Sequence, residues 1–180
     1  MIQLYDRYFE VFIKEEDIQA EVSSLASKIN NDFQGKDVLF IAVLNGSFMF
    51  ASDLLKQIKG DCEIAFVKVS SYIGTVSSGR VDELIGLTSS VENRHVIVLE
   101  DIVDSGLTID KIISTLKLEN PLSVKVCTLL FKPESFKGNT YPDYIGFSIP
   151  NSFVLGYGLD YGEKGRNLNE IYRLKEDLPQ

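Results

Sequence analysis

The sequence predicts an α/β fold, a parallel sheet flanked by helices with a small hood beside it, and three observations carry that expectation. VLFIAVL (Val38 to Leu44) is a continuous apolar run of strand length, as in a strand covered on both faces, and VIVLEDIV (Val96 to Val103) and VKVCTLLF (Val124 to Phe131) read as further buried strands. Between them lie segments with 3.6-residue apolar spacing, the alternation that builds parallel pairing. From Tyr141 to Tyr161 both patterns stop, and Gly, Pro and aromatic residues dominate.

From Glu15 to Phe33, Ile18, Val22, Leu25, Ala26, Ile29 and Phe33 fall on one side of a helix that opens with acids and ends at Gly35. The strand Val38 to Leu44 closes in the turn Asn45-Gly46-Ser47. Ala51, Leu54, Leu55 and Ile58 then give a second helix, and Cys62 to Ser70 a second strand. SYIGTVSSGR (Ser71 to Arg80) has neither period and reads as a flexible loop. VDELIGLTS resumes a strand-like pattern, VIVLEDIVDSGLT forms a strand and turn, and Ile109, Ile112, Ile113 and Leu116 mark the next helix. Two short runs, IGFSI and FVLGYGL, are assigned to an irregular hood. The absence of a repeat or long linker predicts one domain over 1–180, with a core of about 14–133, a loop at 71–80 and a hood from 134–180 plus the N-terminus.

A formal net charge of −8 argues against electrostatically driven binding to nucleic acid or anionic lipid. No apolar run approaches the ~20 residues that span a bilayer, and acids stand near the start where a signal peptide has bases. A cytoplasmic protein is expected. Cys62 and Cys127 lie in apolar stretches and are expected to be small buried hydrophobes. His95 is the only histidine, which argues against a zinc site and suits a strand entrance.

The sharpest feature is VIVLEDIVDSGLT, a buried strand ending in Glu100 and Asp101, then Asp104 and a turn of small residues. Acids at a strand's carboxyl end repel one another unless hydroxyls or a hydrated cation lie between them, and in open α/β sheets that edge is where ligands bind. Ser105, Gly106 and Thr108 suit a phosphate cradle, because small side chains let backbone N–H groups and the helix dipole approach the oxygens. The bland alternative is that Asp104 or Ser105 caps the helix and the other acids are solvated.

EDIVDSGLT resembles the signature that binds phosphoribosyl pyrophosphate (PRPP) in type I phosphoribosyltransferases. LNGSFMFASDL, SSYIGTVSSGR, LLFKP and FVLGYGLDYGEKGRNL resemble other motifs of the hypoxanthine-guanine branch, in the right order. The resemblance covers nearly the whole chain and implies a type I phosphoribosyltransferase-like core, a loop over the active site and a hood that binds the base. It implies that Glu100 and Asp101 hold the ribose hydroxyls, directly or through water on Mg2+, and that Asp160 approaches a second Mg2+ near the purine. By the same resemblance Asp104 is the general base near purine N7, and the loop Asp104, Ser105, Gly106, Leu107 and Thr108 holds the 5′-phosphate.

Lys132 resembles the lysine that donates to the purine 6-oxo group, although a lysine at a strand end is ordinarily solvated. Phe153 resembles the aromatic that stacks on the base and Val154 its neighbour at the purine edge, although the bare sequence would put Phe153 in the core. Arg166, with Leu44, Asn45 and Gly46, resembles the pyrophosphate site, whose loop is often built around a non-proline cis peptide. Several family members carry a basic residue where this chain has Asn45, so Arg166 and backbone amides would compensate. Ser71 and Tyr72 resemble the start of the closing loop. The activity implied is purine salvage, with PRPP and hypoxanthine or guanine as substrates, pyrophosphate as product, and a homodimer or homotetramer as the assembly. Alternatives are a PRPP-sensing regulatory protein, a xanthine-preferring transferase, and a receiver-like signalling domain that would leave the hood and Lys132 unexplained.

Overall fold

The computed structural model describes residues 1–69 and 84–175. The chain opens with a hairpin, β1 (Ile2–Leu4) and β2 (Arg7–Ile13), followed by α1 (Glu15–Asp32), β3 (Val38–Val43), α2 (Phe48–Leu55) and β4 (Glu63–Val69). It continues through β5 (Leu84–Ile85), β6 (His95–Val103), α3 (Leu107–Lys117), β7 (Ser123–Phe131), β8 (Tyr144–Ser148), β9 (Val154–Leu155) and β10 (Ile171–Leu174). The large sheet has the order β5-β4-β3-β6-β7-β8, parallel from β4 to β8, with β5 antiparallel at its edge. The small sheet, β1-β2-β10-β9, is antiparallel throughout. The expected α/β class with a parallel central sheet is therefore present.

The alternation of side chains along a strand divides the core in two. Every residue of β3 is buried. Phe40 and Ala42 pack on one face with Ile18, Val22 and Leu25 of α1 and Leu54 of α2. Leu39, Ile41 and Val43 pack on the other with Ile109, Ile112 and Leu116 of α3. Because both faces are covered, the strand reads in sequence as an unbroken apolar run.

Three expectations need correction. The run IGFSI, assigned to the hood, instead supplies β8, which pairs parallel with β7 at the edge of the large sheet (Cys127↔Tyr144 to Phe131↔Ser148). Its apolar pattern is broken by Gly146, where a Cβ would stand 2.6 Å from the Leu129 carbonyl oxygen, so this close strand approach excludes a side chain. Of VDELIGLTS, only Leu84–Ile85 forms a strand among the described residues. Cys62 is exposed, because it lies just before β4 rather than within it; Cys127 is buried as expected, and burial pushes its thiol pKa up. The expected loop 71–80, with Ser71 and Tyr72, lies outside the described residues.

Tyr157, between β9 and β10, fastens the small sheet to the helices. Its ring is buried in the α1–α2 core, and its hydroxyl donates to Asp53 Oδ2 of α2 at 2.7 Å. The same oxygen accepts Gln19 Nε2 of α1 at 2.9 Å, and Lys56 Nζ reaches Asp53 Oδ1 at 2.9 Å. Hydrogen-bond energetics are asymmetric: orphaning a buried donor costs more than removing one of several donors from an acceptor. Asp53→Ala is therefore expected to destabilise the protein by about 1–3 kcal/mol and Tyr157→Phe by about 0.5–1.5 kcal/mol. Urea unfolding of the two variants checks the order; equal losses would contradict it.

Candidate active site

β6 carries the acids to the carboxyl edge of the sheet between β3 and β7, so the turn after each of these three strands faces the same space. Glu100 is 8% exposed, and its Oε2 has no hydrogen-bond partner among the described residues. Burial, with the charge of Asp101 beside it, pushes Glu100 well above the usual carboxylate range. Burial also raises Asp101 to about 6; backbone N–H bonds and Arg166 oppose the rise, while Asp160 adds to it.

The β3–α2 turn closes over this pair. The Leu44–Asn45 peptide bond is cis, Asn45 is exposed and Gly46 is buried. A Cβ on Gly46 would collide with the Asp101 carboxylate, and one on Gly158 would collide with the Gly46 carbonyl oxygen. Gly158 also has φ +102, a conformation natural only to glycine. The hood loop is thus seated directly on the β3–α2 turn, and that turn on the acid. Arg166 completes the layer: its guanidinium donates to the Gly158 carbonyl at 2.9 Å and pairs with Asp160 Oδ1 at 2.8 Å. Asp160 Oδ2 accepts the Glu163 N–H at 2.8 Å.

Lys132, at the end of β7, is 7% exposed, and its ammonium pairs with Asp104 Oδ2 at 2.8 Å. The solvated-lysine alternative fails at this position. The capping alternative fails for Asp104, which pairs with Lys132, and holds in part for Ser105, whose Oγ accepts the Leu107 N–H at 3.5 Å; the N-cap residue of α3 itself is Gly106, with φ +83. Asp104 is left as a half-exposed acid beside a buried cation, and Ser105 to Thr108 lead into the N-terminus of α3.

Phe153 precedes β9 and is 44% exposed, which overturns the core assignment that the bare sequence favours. Its ring neighbours are Phe9 at 6.3 Å and Tyr161 at 5.6 Å, not members of the acid cluster, and Val154 beside it is buried in the small sheet. Six of the expected residues therefore form two contact chains: Asp104 with Lys132, and Asp101 with Gly46, which is joined through Gly158 to Arg166 and Asp160. Tyr157, Gly158 and Tyr161 were not anticipated individually. The only local signal for them was the Gly-Tyr-Gly spacing, since their partners lie far away in sequence.

Among the described residues no group of three or more acid, histidine or cysteine side chains could hold a metal ion. The arrangement still fits a Mg2+ shared with a substrate, since such an ion takes one or two carboxylates and keeps waters and substrate oxygens. The unpartnered Glu100 oxygen is the observation that matches. Concavity alone does not locate the site: one cavity of about 530 Å³ lies beside Leu4, Phe48 and Arg166, and another of about 500 Å³ opens beside Asn30, Phe33, Lys36 and Cys62. In the second cavity the Asn30 amide is already bonded to the Gln57 carbonyl and the Lys59 N–H, and that cavity borders none of the paired acids. The chemistry is located by the acids.

Comparisons with known proteins agree with this geometry. The phosphoribosyl transferase domain model matches residues 13–162. Hypoxanthine-guanine phosphoribosyltransferase of Bacillus subtilis (strain 168) is 42% identical over 167 residues, 92% of this chain and 93% of that protein. The bifunctional protein TilS/HprT of Listeria monocytogenes is also 42% identical, over 94% of this chain, which spans 26% of that longer protein. A crystal structure of a hypoxanthine phosphoribosyltransferase from Staphylococcus aureus superposes with a TM-score of 0.85 at 43% identity, covering 92% of this chain and 91% of that one. With the acid pair, the small-residue turn and the hood in these relative positions, the chain belongs to the phosphoribosyltransferase family, in its hypoxanthine-guanine branch.

Proposed function

We propose that this chain transfers the 5-phosphoribosyl group of PRPP to N9 of hypoxanthine or guanine, releasing pyrophosphate, as a Mg2+-dependent cytoplasmic salvage enzyme that assembles as a homodimer or homotetramer. The observation that carries the reading is the 2.8 Å pair of Lys132 and Asp104. A buried ammonium donor beside a carboxylate acceptor matches one edge of a 6-oxopurine, where O6 accepts and a neighbouring N7–H donates. Adenine offers a 6-amino donor to the same ammonium and is rejected. The family names of the relatives support the same substrates, and no helix among the described residues is long and apolar enough to cross a membrane.

In this reading Glu100 and Asp101 bind the ribose hydroxyls, and they hold Mg2+ directly or through water. When bound, the ion neutralises charge on the leaving pyrophosphate. The two carboxylates also lie where positive charge develops on the ribose as its anomeric bond breaks. Asp104 takes the N7 proton as the new glycosidic bond forms at N9. Backbone groups of Leu44, Asn45 and Gly46, with Arg166, receive pyrophosphate, and Asp160 keeps the guanidinium oriented until ligand or a second Mg2+ arrives. Phe153 offers its exposed face for stacking on the purine, with Val154 at the purine edge, and the loop Asp104 to Thr108 takes the 5′-phosphate.

Nucleotide formation from PRPP and Mg2+ with hypoxanthine, guanine, xanthine and adenine in parallel tests the assignment. Product is expected from hypoxanthine or guanine but not from adenine, with Asp104→Asn slowing the rate by about 10²–10⁴-fold. No product from any base would favour a PRPP-sensing role, and product from xanthine alone would change the substrate assignment.

The raised carboxyl groups generate a second prediction. Between the ordinary carboxylate range and their folded pKa values, the folded state binds more protons than the unfolded state. Stability of the ligand-free, metal-free protein therefore falls as pH rises through about 4 to 6 and beyond. Glu100→Gln is expected to raise Tm at pH 7.5, by about 2–4 °C for each kcal/mol relieved, with the gain closing near pH 4. A lower Tm for Glu100→Gln at pH 7.5 would contradict this.

A further inference from the structure

The loop assigned to the 5′-phosphate, Asp104 to Thr108, contains no cation, and Leu107 in it presents an apolar side chain that is 66% exposed. Asp104 adds a negative charge, and the nearby Lys132 is buried against that carboxylate at 2.8 Å. A phosphate monoester carries about −1.5 to −2 charge at pH 7. Amides and a helix dipole compensate this only in part, and the chain's net charge of −8 works against it.

The segment after β7 holds what this loop lacks. Lys137 donates its backbone N–H to the Ser105 carbonyl at 3.0 Å. Beside that bond, a Cβ on Gly106 would meet the Phe136 ring and would stand 3.2 Å from Gly138 Cα, so the two segments are in direct backbone contact. On the other side, Asp110 of α3 accepts the backbone N–H groups of Asn139 and Thr140, both at 2.7 Å, and Asn139 Nδ2 at 3.2 Å. The Asn139 N–H first, and then the Thr140 donors, hold the Asp110 carboxyl below the usual carboxylate range. Lys137 is therefore fixed at its backbone over the phosphate loop, while its side chain is exposed and in no ion pair among the described residues.

We propose that Lys137 is the cationic contact to the 5′-phosphate of PRPP and of the product nucleotide, with Asp110 as the positioning residue that holds it there. The inference rests on the phosphoribosyl-transfer reading. It goes beyond that reading by assigning a ligand contact to a segment outside the signature loop.

The test compares Lys137→Ala, Lys137→Arg and Asp110→Ala with Lys117→Ala, an equal charge change at the far end of α3. The readouts are KM for PRPP and for hypoxanthine, inhibition by pyrophosphate, and calorimetric binding of ribose 5-phosphate. Lys137→Ala is expected to raise KM for PRPP and to weaken ribose 5-phosphate binding by about tenfold each, as loss of one charged hydrogen bond would. Pyrophosphate inhibition and KM for hypoxanthine stay within about twofold, since neither ligand carries the 5′-phosphate. Lys137→Arg restores most of the affinity, Asp110→Ala shifts it in the same direction as Lys137→Ala, and Lys117→Ala changes nothing. Unchanged ribose 5-phosphate binding by Lys137→Ala would overturn the proposal, as would an equal loss for pyrophosphate. Wild-type protein that makes no nucleotide would overturn the transfer reading instead, and the calorimetric arm would still decide the role of Lys137.

Discussion

Two adjacent carboxyl groups near the end of β6, Glu100 buried and Asp101 partly buried, the first with an oxygen that no described residue satisfies, set the terms for everything around them. Burying a carboxylate without a partner is among the most unfavourable arrangements a core can contain. Here an unpartnered carboxyl oxygen lies in the middle of a parallel sheet, beside β3, every residue of which is buried. The raised pKa values of Glu100 and Asp101 express that strain on the free protein. In the proposed function a ribose diol and a hydrated cation would supply donors and positive charge, so that the ligand relieves the unfavourable term that the free protein carries. Binding energy would thereby be directed to the atoms where the reaction takes place.

The surrounding layers keep this arrangement closed. The β3–α2 turn lies so close to Asp101 that only glycine fits at position 46, and the hood lies so close to that turn that only glycine fits at 158. Tyr157, next to Gly158, is bonded to Asp53 in α2, which ties the hood to the α1–α2 layer. Arg166 and Asp160 then pair beside Gly158. Asp104 and Lys132 form a second polar couple, to which the proposed function gives the task of reading a neutral ring. In that proposal one sheet edge holds separate places for sugar, leaving group and base.

Much of this was legible in the sequence because its causes are local. An unbroken apolar run identified β3, largely apolar runs identified β6 and β7, the 3.6-residue spacing identified α1 to α3, and the acids stood together in EDIVD. What escaped depended on distant partners. Lys132 looked solvated because its partner Asp104 lies 28 residues away, and Tyr157 looked irregular because Asp53 lies 104 residues away. β8 escaped for a different reason: an edge strand is only half covered, and Gly146 interrupts its apolar pattern. Asp110 stood in the first turn of α3, where an acid is explained by the helix dipole alone. Nothing near it in sequence indicated that it would anchor Asn139 and Thr140.

The central claim is that ligand ionises the buried acids, and proton exchange on binding measures it most directly. Calorimetric titration of Mg2+ and PRPP into the protein at pH 6, in buffers of different ionisation enthalpy, counts the protons released. The account predicts that the wild type releases protons and that Glu100→Gln releases fewer under the same conditions. Equal proton release by the two proteins would contradict it, because Glu100 would then already be ionised before any cation arrived.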